Sequence, residues 1–125
     1  MNDASRAFAV VLPARIERAE IEEPTLLLGG VDWSLSVTCD WRWVKANGTI
    51  VSEDTQGRED VIWDLVGDEI VAATWSGPAQ LGQDPAFELR SGGVLELFSD
   101  AAFDTWVLHT PTVVLVGPLR RTSDG

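Results

Sequence analysis

The sequence predicts a mainly β (α+β) fold: an antiparallel sheet or partly open barrel built from two similar halves, with one short central helix. Three observations lead to this prediction. Large apolar and polar side chains alternate from Trp33 to Trp43, which is the period of a β-strand with one buried face. The same order of apolar residues occurs twice along the chain. Glycine pairs that suit hairpin turns lie at matching places in the two copies.

The chain has 125 residues, a length that suits one domain with a core of its own. We therefore predict a single domain over residues 1–125. The single cysteine, Cys39, cannot form an internal disulfide, and the alternation places it on the buried face as a small apolar side chain. The apolar run from Ala7 to Leu12 is too short for a secretory signal or a membrane span. These features predict a cytoplasmic protein.

The repeat covers residues 14–52 in the first half and residues 68–117 in the second. Its first copy consists of Ile16, Ala19, Ile21, Leu26, Leu28, Leu35, Val37 and Trp41, and its second of Ile70, Ala73, Trp75, Phe87, Leu89, Leu95, Leu97 and Trp106. Each copy predicts three or four antiparallel strands, with turns at Gly29-Gly30 and Gly92-Gly93. We expect one core, across a pseudo-two-fold relation, that contains Leu35, Val37, Trp41, Leu95, Leu97 and Trp106.

The leading strand of each copy has apolar residues at i, i+3 and i+5, which predicts a β-bulge within residues 15–22 and within 69–75. Residues 15–23 also contain Arg, Glu and Ala, which favour a helix. The strand-like composition from Ile70 to Trp75 favours a strand in both copies. Residues 5–12 fit either a helical turn or an edge strand.

A short helix is predicted between the two copies, over about Arg58 to Val66. Capping side chains precede it, acids occupy its first turn, and Gly67 ends it. Its apolar side is formed by Val61, Ile62, Leu65 and Val66. The other predicted elements are strands over residues 49–52, 105–110 and 112–116 and a long loop over residues 76–85.

Acidic residues outnumber basic ones by 20 to 9, which gives a net charge of −11. Nucleic acid is not an expected partner, because each phosphate contact requires Lys or Arg. The charge either keeps the domain soluble or forms an acidic surface that attracts a basic protein. The segment from Glu53 to Glu69 is a candidate for such a surface, because it has seven acids and one base, Arg58.

Few residues carry catalytic or metal-binding chemistry, and each has a structural explanation. His109 is the only histidine and lies alone on a predicted strand. Asp100 and Asp104 resemble a carboxylate pair, but their position at a turn favours helix capping. The glycines form neither a dinucleotide-binding motif nor a P-loop. We therefore expect no enzyme activity, no cofactor and no metal.

Tryptophan is unusually frequent, with six residues in a chain that has no tyrosine. The alternation assigns Trp33, Trp41 and Trp43 to the buried face, and Trp106 is the repeat counterpart of Trp41. Trp63 differs, because it lies on the flank of the predicted helix among acids. An amphipathic indole in that position suits an interface.

Several short motifs resemble those of a group of small uncharacterised bacterial proteins. The group shares a W-R-apolar strand end, a glycine turn, a helix that ends in L-x-G, and a second half with G-x-x-L-x-apolar-F before W-x-apolar. The corresponding segments here are Trp41-Arg42-Trp43, Asn47-Gly48, Leu65-Val66-Gly67, residues 92–98 and Trp106-Val107-Leu108. The resemblance covers residues 26–110 and implies the same two-half architecture, with no activity to carry over.

Two functions are predicted as alternatives. The first is a non-catalytic protein-binding module, immunity- or antitoxin-like in its most concrete form, whose acidic surface binds a basic protein. Its expected binding residues are Glu53, Asp54, Glu59, Asp60, Trp63, Asp64 and Asp68. The second is a small-molecule or lipid-binding β domain with a pocket lined by the tryptophan face. No membrane partner is expected, and the sequence neither indicates nor excludes a homo-oligomer.

Overall fold

The computed structural model describes residues 8–76, 83–99 and 105–117. Its strands are β1 (Ala14–Arg15), β2 (Arg18–Glu22), β3 (Thr25–Gly29), β4 (Ser34–Val37), β5 (Asp40–Val44), β6 (Ile50–Ser52), β7 (Glu69–Ser76), β8 (Asp84–Leu89), β9 (Val94–Phe98), β10 (Trp106–His109) and β11 (Val114–Val116). A short helix, α1 (Arg58–Val61), continues into a 3₁₀ turn (Ile62–Leu65). The predicted fold class is confirmed, and over the described ranges the strands form two open sheets rather than a closed barrel.

The two halves of the chain exchange strands between the two sheets. One sheet has the order β1-β7-β8-β9-β5-β6, and the other has the order β11-β10-β4-β3-β2. The meander β2-β3-β4 thus lies in one sheet and the meander β7-β8-β9 in the other. The next two strands of each half cross to the opposite sheet, where β5 pairs with β9 and β10 pairs with β4. Each sheet is therefore completed by strands from the other half, β1, β5 and β6 in one and β10 and β11 in the other.

The register of the exchanged strands is the same in both sheets. The paired residues are Trp41 with Leu97 and Trp43 with Leu95 in one sheet, and Trp106 with Val37 and Leu108 with Leu35 in the other. Trp41 and Trp106 therefore occupy equivalent positions. Within the meanders, the repeat counterpart of Phe87 is Leu28 and not the predicted Leu26. Leu28 pairs with Ala19 of the preceding strand, and Phe87 pairs with Ala73 in the same way. A shift of two residues keeps every side chain on the same face, so the apolar pattern cannot detect it.

The alternating run from Trp33 to Trp43 is two strands in different sheets, not the single strand that its pattern predicts. The chain crosses between the sheets at Thr38 and Cys39, whose N–H groups both donate to the carbonyl of Thr105. Both sheets face one core, so the alternation continues through the crossing. The odd-numbered side chains are all buried, from 0% exposed at Val37 to 6% at Trp33.

A second crossing explains the irregular apolar spacing between Arg15 and Glu22. Strand β1 pairs with β7 in one sheet, and β2 pairs with β3 in the other. The predicted bulge in residues 15–22 is therefore a change of sheet, and the helix alternative for residues 15–23 is wrong. In the second half the predicted bulge is confirmed, because the register of β7 shifts between Ile70 and Ala72.

The start of the described chain is helical rather than extended. Phe8 and Ala9 adopt helical conformation, and their carbonyls accept from the N–H groups of Val11 and Leu12. The helical-turn alternative is thus correct for these residues, whereas residues 5–7 lie outside the described part of the chain. Residues 77–82 of the predicted loop, together with Asp100 and Asp104, also lie outside it.

Apolar side chains from both sheets form one core cluster. It contains all six residues predicted to pack together, so that prediction is confirmed: Leu35, Val37, Trp41, Leu95, Leu97 and Trp106. Trp106 links the two sheets, since its Nε1 donates to Oδ1 of Asp84 on β8 at 2.9 Å. Its ring centroid also lies 5.8 Å from that of Trp75 on β7. Burial of each large side chain of this kind contributes about 1.5–3 kcal/mol.

Glycines lie against the indole N–H edges of the core tryptophans. A Cβ on Gly30 or Gly117 would come under 3.0 Å from Nε1 of Trp33 or Trp106, closer than real Cβ atoms come to other atoms. The indole N–H of Trp33 donates to the carbonyl of Arg15 at 3.2 Å, which ties β1 to the turn between β3 and β4. The absence of a side chain at Gly30 is therefore a packing requirement.

We expect the substitution Gly30→Ala to destabilise the fold by about 1–3 kcal/mol, as overpacking in a tight interior does. The new Cβ would meet Nε1 of Trp33 and also the backbone oxygen of Arg15. Gly29→Ala is the matched control, because a Cβ there meets its nearest atom at 3.5 Å, an ordinary contact. Urea unfolding of both variants measures the difference, and equal midpoints would show that the indole edge is not closely packed.

We also expect Leu35→Ala and Leu97→Ala to cost about 2–5 kcal/mol each, because both remove a buried side chain from a close-packed core. The two leucines lie in different sheets, and each pairs with a strand of the other half. Val116→Ala, at a side chain that is 55% exposed, is the control and should have little effect. Negligible shifts in the unfolding midpoints of both leucine variants would contradict this assignment of the core.

Candidate functional site

The helical segment, residues 58–65, carries most of the predicted binding residues. The predicted helix over residues 58–66 is α-helical only to Val61 and then tightens into the 3₁₀ turn. Three residues per turn place Ile62 and Leu65 on one side, and both are fully buried. Val66, predicted to lie on the apolar side, is instead 37% exposed because the turn ends before it. The segment is thus anchored by two side chains, with its other side exposed.

The seven predicted binding residues fall into an outward group and an inward group. The exposed residues are Asp54, Glu59, Asp60, Trp63 and Asp64, and we call them the acidic surface. Trp63, predicted to lie on the flank of the helix, lies instead in the 3₁₀ turn that follows it and is 62% exposed. Glu53 and Asp68 are only partly exposed and are engaged in hydrogen bonds with other elements. Those two side chains are structural.

Glu53 and Asp68 each accept hydrogen bonds from residues distant in sequence. Oε2 of Glu53 accepts from the backbone N–H of Trp41 at 3.0 Å. Oδ1 of Asp68 accepts from the N–H groups of Glu69, at 2.8 Å, and Ser91, at 3.2 Å. Its Oδ2 accepts from the hydroxyl of Ser91 at 2.6 Å. Asp68 therefore fastens the start of β7 to the turn between β8 and β9.

Two basic side chains lie beside the acidic surface. Arg58 pairs with Glu23 and, at 3.7 Å, with Glu59, and its side chain is only 21% exposed. Lys45 approaches Asp64, with 3.6 Å between Nζ and Oδ2. Among the described residues, Asp54 and Asp60 take part in no ion pair. The acidic surface thus keeps uncompensated carboxylates.

A surface hollow of about 280 Å³ opens beside the helical segment, at the end of β5, and we call it the β5 hollow. It is lined by Trp43, Lys45, Ala46, Asn47, Asp64, Asp68 and Ser91. Nζ of Lys45 lies 5.1 Å from the centroid of the Trp43 ring, a distance that allows a cation–π interaction. The sequence did not predict this hollow, because its walls come from three separate parts of the chain.

A second hollow, of about 400 Å³, occupies the equivalent position in the other half, at the end of β10. It is lined by Val31, Asp32, Trp33, Ser34, His109, Thr110 and Pro111. His109 is exposed at its rim, as expected for a histidine outside the core. Within the described ranges, no group of three or more His, Cys, Asp and Glu side chains has an arrangement suited to a metal ion.

The predicted tryptophan face is the interior of the domain. Trp33, Trp41, Trp43 and Trp106 are at most 6% exposed and belong to the core cluster. The rims of two of these indoles, Trp33 and Trp43, reach the surface hollows. Among the described residues, this face therefore packs within the core cluster.

Cys39 lies in the core at the crossing between β4 and β5 and is 5% exposed. Burial raises the pKa of its thiol from the ordinary value of 9.0 to about 12. The apolar surroundings disfavour the charged thiolate, which is the reactive form of cysteine. A structural role, as the sequence predicts, fits this environment.

Comparison with protein-family models, with curated proteins and with solved structures finds no match to this chain. The resemblance to small bacterial proteins therefore stays a prediction. In the parts of the chain that the structure describes, no helix combines the length and the apolar character that crossing a bilayer requires.

We expect the Cys39 thiol to react with an aromatic disulfide reagent at least about tenfold more slowly in the native protein than in urea at about pH 8. Stability should also fall as pH rises from 9.0 toward about 12, because the unfolded chain releases a proton that the folded state retains. Below that range the thiol is protonated in both states and does not make stability depend on pH. Cys39→Ala should lack this additional decline, and identical pH profiles would contradict the burial of the thiol.

Proposed function

We propose that this chain is a non-catalytic binding module whose acidic surface docks a basic protein. The observation that carries the proposal is Trp63, whose large side chain is 62% exposed between Asp60 and Asp64. Tryptophan is enriched at interfaces, where its apolar ring packs against a partner and its N–H can donate a hydrogen bond. Energetically dominant interface residues are also most often Trp, Tyr or Arg.

The anchoring of the helical segment supports this function. Ile62 and Leu65, on either side of Trp63 in sequence, are fully buried. The backbone that carries Trp63 is therefore fixed before any partner arrives. A binding surface that is already ordered loses less conformational entropy on association.

The charge of the chain supports a basic partner. The net charge is −11, and the one base between Glu53 and Glu69 already pairs with two glutamates. A basic protein would be steered toward Asp54 and Asp60, whose charges are uncompensated. The same charges repel a second copy of this chain at the acidic surface, so a homo-oligomer through this surface is not proposed.

The most concrete form of this role is an immunity- or antitoxin-like protein that covers a basic partner in the cytoplasm. A small acidic domain with a free thiol suits that setting. The alternative role, binding of a small molecule or lipid, has weaker support. The hollows of about 280 and 400 Å³ lie at the lower end of the roughly 300–1,000 Å³ of most ligand sites, and both are open at the surface.

We expect the double variant Asp60→Lys and Asp64→Lys to associate more slowly with the basic partner and to show a weaker dependence on salt. Its stability should change by less than about 0.5 kcal/mol, because both side chains are exposed. The ion pair that Asp64 loses with Lys45 is long, at 3.6 Å, and contributes little. Pull-down from a lysate of the source cells, followed by association kinetics with the captured protein, measures the effect.

The matched control is the double variant Asp32→Lys and Glu88→Lys, which changes two exposed acids elsewhere by the same charge. Trp63→Ala tests the aromatic contribution separately and should weaken binding without loss of stability. If wild type and the Asp60 and Asp64 variant capture the same partners equally well, the acidic surface is not the docking site. The acidic composition would then serve solubility.

A further inference from the structure

We propose that the β5 hollow is a socket for one ammonium group of the basic partner, and that Lys45 occupies this socket in the free protein. The proposal rests on the docking function described above and specifies how one part of that surface recognises its partner. The ligand is a lysine side chain of the partner. Its recognition elements are the ring of Trp43 and the carboxylate of Asp64.

The position of Lys45 shows which chemistry the hollow accepts. Its ammonium group lies 5.1 Å from the centroid of the Trp43 ring and 3.6 Å from Oδ2 of Asp64. An aromatic ring and a carboxylate together attract an alkylammonium ion. The Asp64 contact is longer than a hydrogen bond, and the Asp64 side chain is 66% exposed. Lys45 is therefore held weakly, so an incoming cation can replace it.

The hollow retains space beside Lys45. Its volume is about 280 Å³ with Lys45 in place. The Trp43 side chain borders it and is only 3% exposed. One wall is rigid, because Asp68 is held by hydrogen bonds from the backbone and hydroxyl of Ser91. These features suit a site that receives a group from outside.

Comparison of the two halves shows which residues of the β5 hollow have no counterpart at the equivalent position of the fold. By strand register, Trp43 corresponds to Leu108, because they pair with Leu95 and Leu35 at equivalent positions. Lys45 accordingly corresponds to Thr110, two residues further along. The helical segment that supplies Asp64 lies between the halves and contributes nothing to the lining of the β10 hollow. The β10 hollow is also lined by an indole, Trp33, and a carboxylate, Asp32, but by no lysine or arginine, so of these two hollows only the β5 hollow holds an ammonium group.

The socket is continuous with the acidic surface, because Asp64 belongs to both. A partner that docks on Trp63 and Asp60 therefore brings its basic side chains next to Lys45. The ammonium of Lys45 competes with them for Asp64 and repels them. Removal of Lys45 should accordingly strengthen binding, in contrast to the loss expected when acids are removed.

The test compares Lys45→Met with Arg18→Gln in the full chain, because both lower the net charge by the same amount. Arg18 is an exposed base on β2 that pairs with Glu20. The probe is a fluorescein-labelled deca-lysine peptide, whose dissociation constant is measured by anisotropy at fixed low ionic strength. We expect Lys45→Met to lower the dissociation constant about threefold to fivefold, the effect of one freed cation–π position. Arg18→Gln should change it less than about twofold.

A third variant, Lys45→Met combined with Asp64→Asn, links the gain to the socket. If the proposal is correct, the combination binds no more tightly than Asp64→Asn alone. Equal effects of Lys45→Met and Arg18→Gln, with weaker binding by the Asp60 and Asp64 lysine variant, would overturn the socket and leave the docking function standing. Deca-lysine that binds this lysine variant as tightly as wild type, or fails to bind wild type, would overturn both. Urea unfolding verifies that each variant is folded.

Discussion

The structure depends on the exchange of strands between its two halves. Neither half has a complete sheet of its own, because β5 and β6 extend the sheet of the second half and β10 and β11 extend that of the first. The exchanged strands place Trp41 opposite Leu97 and Trp106 opposite Val37, so two of the largest core side chains lie at the junctions between halves. Backbone hydrogen bonds and apolar contacts therefore act across the same junctions. Unfolding of one half would remove both from the other half, so we expect the two halves to unfold together.

The alternation of apolar and polar side chains determines how much of the fold can be predicted from the sequence. Alternation identified the buried face from Trp33 to Trp43 correctly, because it depends only on which side chains point inward. It could not reveal the crossing at Thr38 and Cys39, since a strand that changes sheet keeps the same side toward a shared core. The irregular spacing around Ile16 was a sign of the other crossing, and a bulge produces a similar pattern.

The site was predictable where its properties are local. Trp63 and the adjacent acids lie on one short segment, so helical spacing was enough to separate exposed from buried residues. The structural roles of Glu53 and Asp68 could not be predicted, because their hydrogen-bond donors belong to Trp41 and Ser91 on other elements. The β5 hollow could not be predicted from the sequence for the same reason. Its walls meet only after the second half has contributed its turn between β8 and β9.

The order in which the chain is synthesised makes the exchange important in the cell. Strands β5 and β6 leave the ribosome before β7, β8 and β9 exist, so their sheet is absent when they emerge. Until Leu95 and Leu97 are available, β5 can pair only with β6, and its other edge, beside Trp41 and Trp43, is left unpaired. Nascent chains with such unpaired apolar strands are prone to aggregate. For this protein, the vulnerable interval lasts from the emergence of the first half to the completion of β9.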